Sequence, residues 1–327
     1  MKEFKAVAVV VGAMAAVPLL GVSNVTLNFL IVALMIALAG QGWNVLGGYG
    51  GQYSFGHAAF FGTGAYVTAV LQVRYGVNAW IAFALGIAGG ALVGAIVGGL
   101  TFRFGLRGSY FALVTLAFAE VLRILASVAP VTGAGVGTLV RLDLRPASLQ
   151  FQSRAAFYWM ILALVAIALI VTQRIERSRF GVWLVAVREN EDAAAALGVN
   201  ATVIKLIAMM ISGAITAAAG CFYVQYFLFI DSGLAYGTWI SIEALLTPII
   251  GGVGTVFGPL LGALVVRAMG EAAQLVTGGE APGLDLVIYG CVLVLIIWFA
   301  PRGLMGGLTQ LRRRLFRPAP AAKVGHG

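Results

Sequence analysis

The sequence predicts an all-α integral membrane protein of about ten transmembrane segments, with glycine-broken helices and both termini in the cytoplasm. Three observations carry that expectation. Of 327 residues, 61% are hydrophobic and only 10% charged, with mean hydropathy +0.99, whereas a soluble domain carries about 25% charged residues. Apolar runs of about 20 residues, the length a helix needs to cross hydrocarbon, recur along the chain. Basic side chains gather at the ends of alternate runs, the positive-inside pattern.

The opening stretch MKEFKAVAVVVGAMAAVPLLG has the basic start and apolar run of a signal peptide. It lacks an A-x-A cleavage site, and a second apolar run begins at Val25, so it reads as an uncleaved first helix over 6–22. Further segments are expected at 25–46, 54–72, 79–101, 109–128, 155–173, 203–229, 238–252, 256–276 and 284–300. The third and eighth adjoin glycine-rich breaks, GGYGG at 47–51 and GGVG at 251–254. Unwound backbone at membrane depth survives only when buried in protein or lining a wet cavity.

With both termini inside, the inner side receives Lys2, Lys5, Arg103, Arg107, Arg174, Arg177, Arg179, Arg188, Lys205, Arg302, Arg312, Arg313, Arg314, Arg317 and Lys323. The outer side receives Arg74, Arg141, Arg145 and Arg154. Residues 1–305 then form one transmembrane domain, with an external loop at 130–153 and an internal loop at 174–202. A basic cytoplasmic tail follows at 306–327, suited to the anionic inner leaflet. The net charge of +9 is accounted for by this asymmetry, and no nucleic-acid motif accompanies it.

Gly86, Gly90, Gly94 and Gly98 recur every fourth residue, which aligns them on one helix face where a neighbouring helix can approach. Gly258 and Gly262 repeat the device beside Pro259, and Ala58, Gly62, Ala65 and Ala69 form a similar stripe. Ionisable residues within apolar runs are Glu120, Arg123, Glu243, Arg267 and Glu271. Spacings of three and four residues let Glu120 pair with Arg123 and Arg267 with Glu271, and Glu243 falls near a helix end. Cys221 and Cys291 lie in apolar runs and read as packing residues. Gln41, Asn44, Gln52, Ser54, His57 and Thr63 are the uncharged polar groups around the first break. They either line a translocation path or serve helix packing. His57 has no Cys, Asp or Glu beside it, so no metal site is expected. No GxxxxGK[ST], GxSxG or HExxH motif occurs. The chain is therefore expected to bind no cofactor and to catalyse no reaction of its own.

The internal segment RENEDAAAALGV at 188–199 reads as a short cytoplasmic helix. Asn190 can cap it, Glu191 and Asp192 suit its positive first turn, Ala193 to Leu197 favour helix, and Gly198 can close it in a left-handed conformation. It is either a connector or a small-residue surface for a partner.

Four stretches, in order, carry a resemblance: SFGHAAFFGTGAY at 54–66, GLRGSYFALVTLAFAEVLR at 105–123, SRFGVWLVAVRENEDAAAALGVN at 178–200, and IIGGVGTVFGPLLGAL at 249–264. Together they resemble the LivM-type permease subunits of branched-chain amino acid ABC importers. The third also resembles the EAA element that docks into the ATPase subunit. The resemblance implies an ATPase-coupling role for Arg188, Glu189, Asn190, Glu191, Asp192, Ala194, Ala195 and Gly198. It implies a second, homologous permease, two cytoplasmic ATPases holding ATP and Mg, and an external solute-binding protein, in the cytoplasmic membrane of a bacterium. Where relatives carry a TGGSNG-like stretch, this chain has TGAGVG at 132–137. That loss of two polar groups leaves branched-chain amino acids, urea and other small polar or carboxylate solutes as substrates. The competing expectation is an ion-coupled secondary transporter with broken helices. It accounts for the glycine breaks but gives no reason for EDAAAALG.

Overall fold

A computed structural model describes residues 2–277, together with 287, 290, 291 and 303–307. The tenth expected segment at 284–300 and the basic tail lie, apart from those positions, outside the described residues.

The helices begin where polar caps stand before apolar runs. Helix α1 (Lys2–Ala15) continues into a short 3-10 turn at Val17–Leu20. Ser23 accepts the Thr26 amide at 3.2 Å and starts α2 (Asn24–Trp43). Instead of unwinding at once, α2 widens into a π-helical turn, Asn44–Tyr49. The chain then runs irregularly from Gly51, at φ 65°, to Gly56. Helix α3 (His57–Tyr75) therefore starts three residues after its expected beginning and ends at Gly76, φ 62°. Asn78 caps α4 (Ala79–Arg103), and α5 (Gly108–Val128) follows.

The expected external loop, 130–153, contains 3-10 turns and a two-residue strand, β1 (Thr138–Leu139). Ser153 caps α6 (Arg154–Arg177). The expected internal loop is mostly helical: α7 (Arg179–Glu189) starts on a Ser178 cap and α8 (Glu191–Ala196) on Asn190. Asn200 caps the long α9 (Ala201–Phe227), which leads to β2 (Phe229–Ile230), antiparallel to β1. Short α10 (Ser232–Tyr236) precedes α11 (Thr238–Gly251) and α12 (Gly258–Thr277).

Among the described residues, six helical stretches are long and apolar enough to cross a membrane. They are Asn24–Tyr49, Ala79–Arg103, Gly108–Val128, Arg154–Arg177, Ala201–Phe227 and Ser232–Gly251. The first expected segment yields only the shorter apolar stretch Lys5–Leu20. Helices α3 and α12 occupy the third and ninth segments but are not among the six. In α3, His57, glycines and threonines dilute the apolar content.

Helix α2 is the axis. On one side α3, α4 and α9 pack against one another, with α9 reaching α2; on the other, α11 and α12 pack together and both touch α2. Every residue from Ala33 to Gly50 is buried. The glycine stripe of α4 faces α9. A Cβ on Gly90 would come within 2.7 Å of the Gly213 carbonyl oxygen, one on Gly94 equally close to that of Met209, and one on Gly98 within 3.0 Å of Leu206. Gly86 faces Cys221, whose thiol donates to the Gly64 carbonyl at 3.3 Å. Gly258 and Gly262 similarly admit the backbone of Gly252 and Thr247, closing the α11–α12 hairpin. The opposite faces of α4 and α5 expose Ile81, Leu85, Leu92, Leu113, Val121 and Ile124, as lipid-facing or partner-facing helix surfaces do.

This contact predicts an asymmetry between neighbouring glycines. Gly90→Leu drives a side chain into the α9 backbone and should destabilise the protein by about 1–3 kcal/mol or more. Gly99→Leu enters open space and should leave stability nearly unchanged. Thermal unfolding in detergent, followed by intrinsic fluorescence, checks both.

Candidate functional site

The π-turn and the segment after it gather most of the expected path residues, and their polar atoms are largely taken up inside the chain. Gln41 donates to Thr172 Oγ1 at 2.8 Å and to the Val256 carbonyl at 3.3 Å. Asn44 donates to the Thr255 carbonyl at 2.9 Å and accepts the Gly254 amide at 2.8 Å. Ser54 is fully buried; its carbonyl accepts the Trp43 indole N–H at 2.8 Å and its hydroxyl accepts the Gly56 amide at 3.2 Å. His57, also fully buried, lies with Nε2 2.9 Å from Ser212 Oγ and its ring edge-on to Phe60. Gln52 donates back to the Gly50 carbonyl at 3.3 Å, and Thr63 to the Ala59 carbonyl at 2.7 Å. These last two remain half-buried.

Asn44, in the π-turn, and Gln41, just before it, thus tie the chain leading into the first glycine break to residues 254–256 at the second, some two hundred positions away in sequence. An amide side chain does this well, since one group supplies both a donor and an acceptor to irregular backbone. Ser212 and Thr172 were not singled out by the sequence, because nothing local marks the far partner of such a bond.

The second cluster lies at α7 and α8. Asn190 accepts the Ala193 amide at 2.9 Å, with Glu191 and Asp192 in the first turn. At the other end Gly198, φ 86°, closes a Schellman motif: its amide donates to the Ala195 carbonyl at 2.9 Å and that of Val199 to Ala194 at 3.1 Å. Ala194 faces inward with Val187 and Ala201, whereas Ala193, Ala195, Ala196 and Leu197 are exposed.

Glu191 is turned towards its own chain. Its carboxylate lies 2.7 Å from Lys205 Nζ and 3.1 Å from Arg107 Nε, while Asp192 lies 3.8 Å from Arg107 Nη2. The Lys205 side chain is 3% exposed and its ammonium sits over the Phe102 ring at 5.3 Å, which stacks on Phe111. Lys205 was absent from the expected site. A signal existed: a lysine in the second turn of α9 opposes the positive end of the helix dipole and calls for an anion. Arg188 also turns inward, donating from Nη1 to the Gly48 carbonyl at 2.9 Å and pairing with Glu189 at 2.6 Å.

Of the other ionisable groups, Glu120 and Arg123 pair at 2.6 Å, and Arg267 and Glu271 at 3.0 Å. Glu243 lines a narrow apolar recess between α2, α3 and α11 with Met35, Ile36, Phe61 and Trp239. At the end of the molecule opposite α8, a polar recess of about 360 Å³ lies between the α3–α4 turn and residues 140–150. There the hydrogen bonds from Arg145 and then Ser148 hold the Asp143 carboxyl below its usual range.

The family described as "Branched-chain amino acid transport system / permease component" matches residues 25–297, and the chain belongs to it. It is 28% identical over 308 residues to the "High-affinity branched-chain amino acid transport system permease protein LivM" of Salmonella typhimurium, covering 87% of this chain and 71% of the relative. The LivM protein of Escherichia coli gives the same identity and coverage. The "High-affinity branched-chain amino acid transport system permease protein BraD" of Pseudomonas aeruginosa is 29% identical over 152 residues, 46% of this chain and 48% of the relative. No solved structure gives a significant match.

The inward Glu191 predicts unequal costs for its two partners. Glu191→Ala strands a buried ammonium and should cost about 3–5 kcal/mol. Lys205→Met leaves Glu191, itself 20% exposed, with Arg107 and should cost much less. The double variant Glu191→Ala/Lys205→Met should recover most of the loss. Unfolding of the three proteins in detergent decides; equal costs for the two single variants would refute the inward pairing.

Proposed function

We propose that this chain is a transmembrane permease subunit of an ATP-driven ABC importer that moves branched-chain amino acids, or a related small polar or carboxylate solute, into the cell. One observation carries the reading: within a member of this permease family, the 190–198 segment forms a helix capped at both ends and exposing a small-residue face. Such a face admits a partner groove closely, and Leu197, 87% exposed, gives it an apolar contact that water does not favour.

On this reading, two cytoplasmic ATPase subunits bind ATP and Mg and close, and the permease supplies no catalytic group. Ala195, Gly198 and Asp192 meet the ATPase, Asn190 holds the helix start, and Ala194 seats it. Arg188, Glu189 and Glu191 join it to the transmembrane body. The pull reaches α9 through Glu191 and Lys205, and α9 shares tight glycine contacts with α3 and α4. Rocking of packed helices then alternates access to a central path.

The path runs along the α2–α3 connection. Gln52 and Thr63 offer it weak, uncharged contacts, and Gln41, Asn44, Ser54 and His57 form its wall. Sparse contacts suit a conduit, with selectivity held by an external solute-binding protein. That relatives named LivM and LivH both match supports pairing with a second, homologous permease. Ten spans over 1–305, both termini and the basic tail 306–327 in the cytoplasm, and residence in the cytoplasmic membrane of a bacterium complete the proposal.

The test is uptake of labelled leucine, isoleucine, valine and urea by liposomes holding the complete complex with its own binding protein. ATP-dependent accumulation of one of these is expected. Accumulation driven by a proton or sodium gradient without ATP would instead establish the ion-coupled alternative.

A further inference from the structure

The guanidinium of Arg188 stands between the two parts of the molecule that the proposed mechanism must join. It belongs to the last turn of α7, directly before the α8 cap. Its Nη1 donates to the Gly48 carbonyl at 2.9 Å, in the π-helical turn. Its Nε and Nη2 hold Glu189 Oε1 at 3.0 and 2.6 Å. A cation on a carbonyl of a helix's last turn is a favoured arrangement. Here the carbonyl and the cation come from elements 140 positions apart.

The fit extends beyond one hydrogen bond. A Cβ on Gly51, which is at φ 65°, would collide with Arg188 Cγ, and one on Gly50 would lie 3.2 Å from Leu184 of α7. Glycine at 50 and 51 therefore gives α7 its close seat on the π-turn. From there the contact continues without a gap. A Cβ on Gly48 would lie 2.8 Å from the Gly254 amide nitrogen, and Asn44 bonds both Gly254 and Thr255. The α11–α12 connection is thus fastened to the same turn that receives Arg188. π-turns inside α-helices are frequently found at functional sites.

We infer that Arg188 is a positioning residue that makes the π-turn 44–49 and the 252–257 connection follow α7 and α8, so that a pull on α8 reaches both glycine breaks through its guanidinium. This rests on the coupling role proposed above for α8. It differs from a role in docking, since the guanidinium points into the permease.

The test uses the complete complex with its ATPases, compared with and without a non-hydrolysable ATP analogue. Backbone deuterium exchange is read over 44–56, 179–198 and 251–257, alongside solute uptake and ATP hydrolysis. In the wild type, all three segments should respond to nucleotide. Arg188→Met keeps the stem against Gly51 but removes the guanidinium. It should keep the response at 179–198, lose it at 44–56 and 251–257, and lower uptake per ATP hydrolysed by about tenfold. Arg188→Lys keeps a cation but loses the planar fork that serves Gly48 and Glu189 from separate nitrogens, and should restore part of both. An unchanged response at 44–56 in Arg188→Met would overturn the inference. So would a rise in exchange over the whole chain that is the same with and without nucleotide, since that is a loss of fold alone. If the wild-type segment 179–198 itself ignores nucleotide, the coupling role of α8 is what fails.

Discussion

Backbone that leaves helical geometry inside a membrane exposes amides and carbonyls that hydrocarbon cannot solvate. The organisation of this chain turns on that constraint at two places, the connection from α2 to α3 and the connection from α11 to α12. Each is satisfied by the other and by side chains from far away in sequence. Trp43 and Gln41 of α2 and Asn44 of the π-turn supply donors and acceptors, and Arg188 supplies a cation from α7. The glycines let these backbones approach closely enough for such bonds to form. Neither break could be buried without the other elements in place, so broken helices and bundle are interdependent.

The glycine stripe on α4 solves a different problem. Apolar side chains gain little by moving from lipid to a helix interface, so association relies on close packing and small residues. Gly86, Gly90, Gly94 and Gly98 let α4 lie against α9 along much of its length. The consequence is that α9, α3 and α4 form one closely packed unit. Lys205, near the start of α9, is also where α8 is anchored through Glu191. The short helix α8 is thereby tied to the most tightly packed part of the bundle, at the ion pair between Glu191 and Lys205, and to its most irregular part, through the neighbouring Arg188.

Features with a local cause were legible in the sequence. The Asn190 cap and the Gly198 closure of α8 follow from residue chemistry within a few positions, and so does the periodicity of the α4 glycines. The glycine break at 47–51 was visible, but its form was not: the helix widens before it ends, because Arg188 and the 254–256 backbone support it from outside. The stretch 174–202 was expected to be a loop with one short helix. It is instead the end of α6 and two further helices, since Ser178 and Asn190 each cap a new start. The polar residues around the break read equally as path lining or packing; the structure gives four of the six bonded partners in buried surroundings. Glu191 read as a docking residue and is turned inward, a result that depends on Lys205 and Arg107 arriving from other helices.

In the proposed mechanism α8 and the two glycine breaks move together. Spin labels on Ala193 and Val253, both exposed, would report the distance from α8 to the α11–α12 connection in the intact complex. A second pair, Ala193 and Val136, would report the distance from α8 to the opposite end of the molecule. With nucleotide added, the account predicts an unchanged first distance and an altered second one. A first distance that changes while the second stays fixed would contradict it.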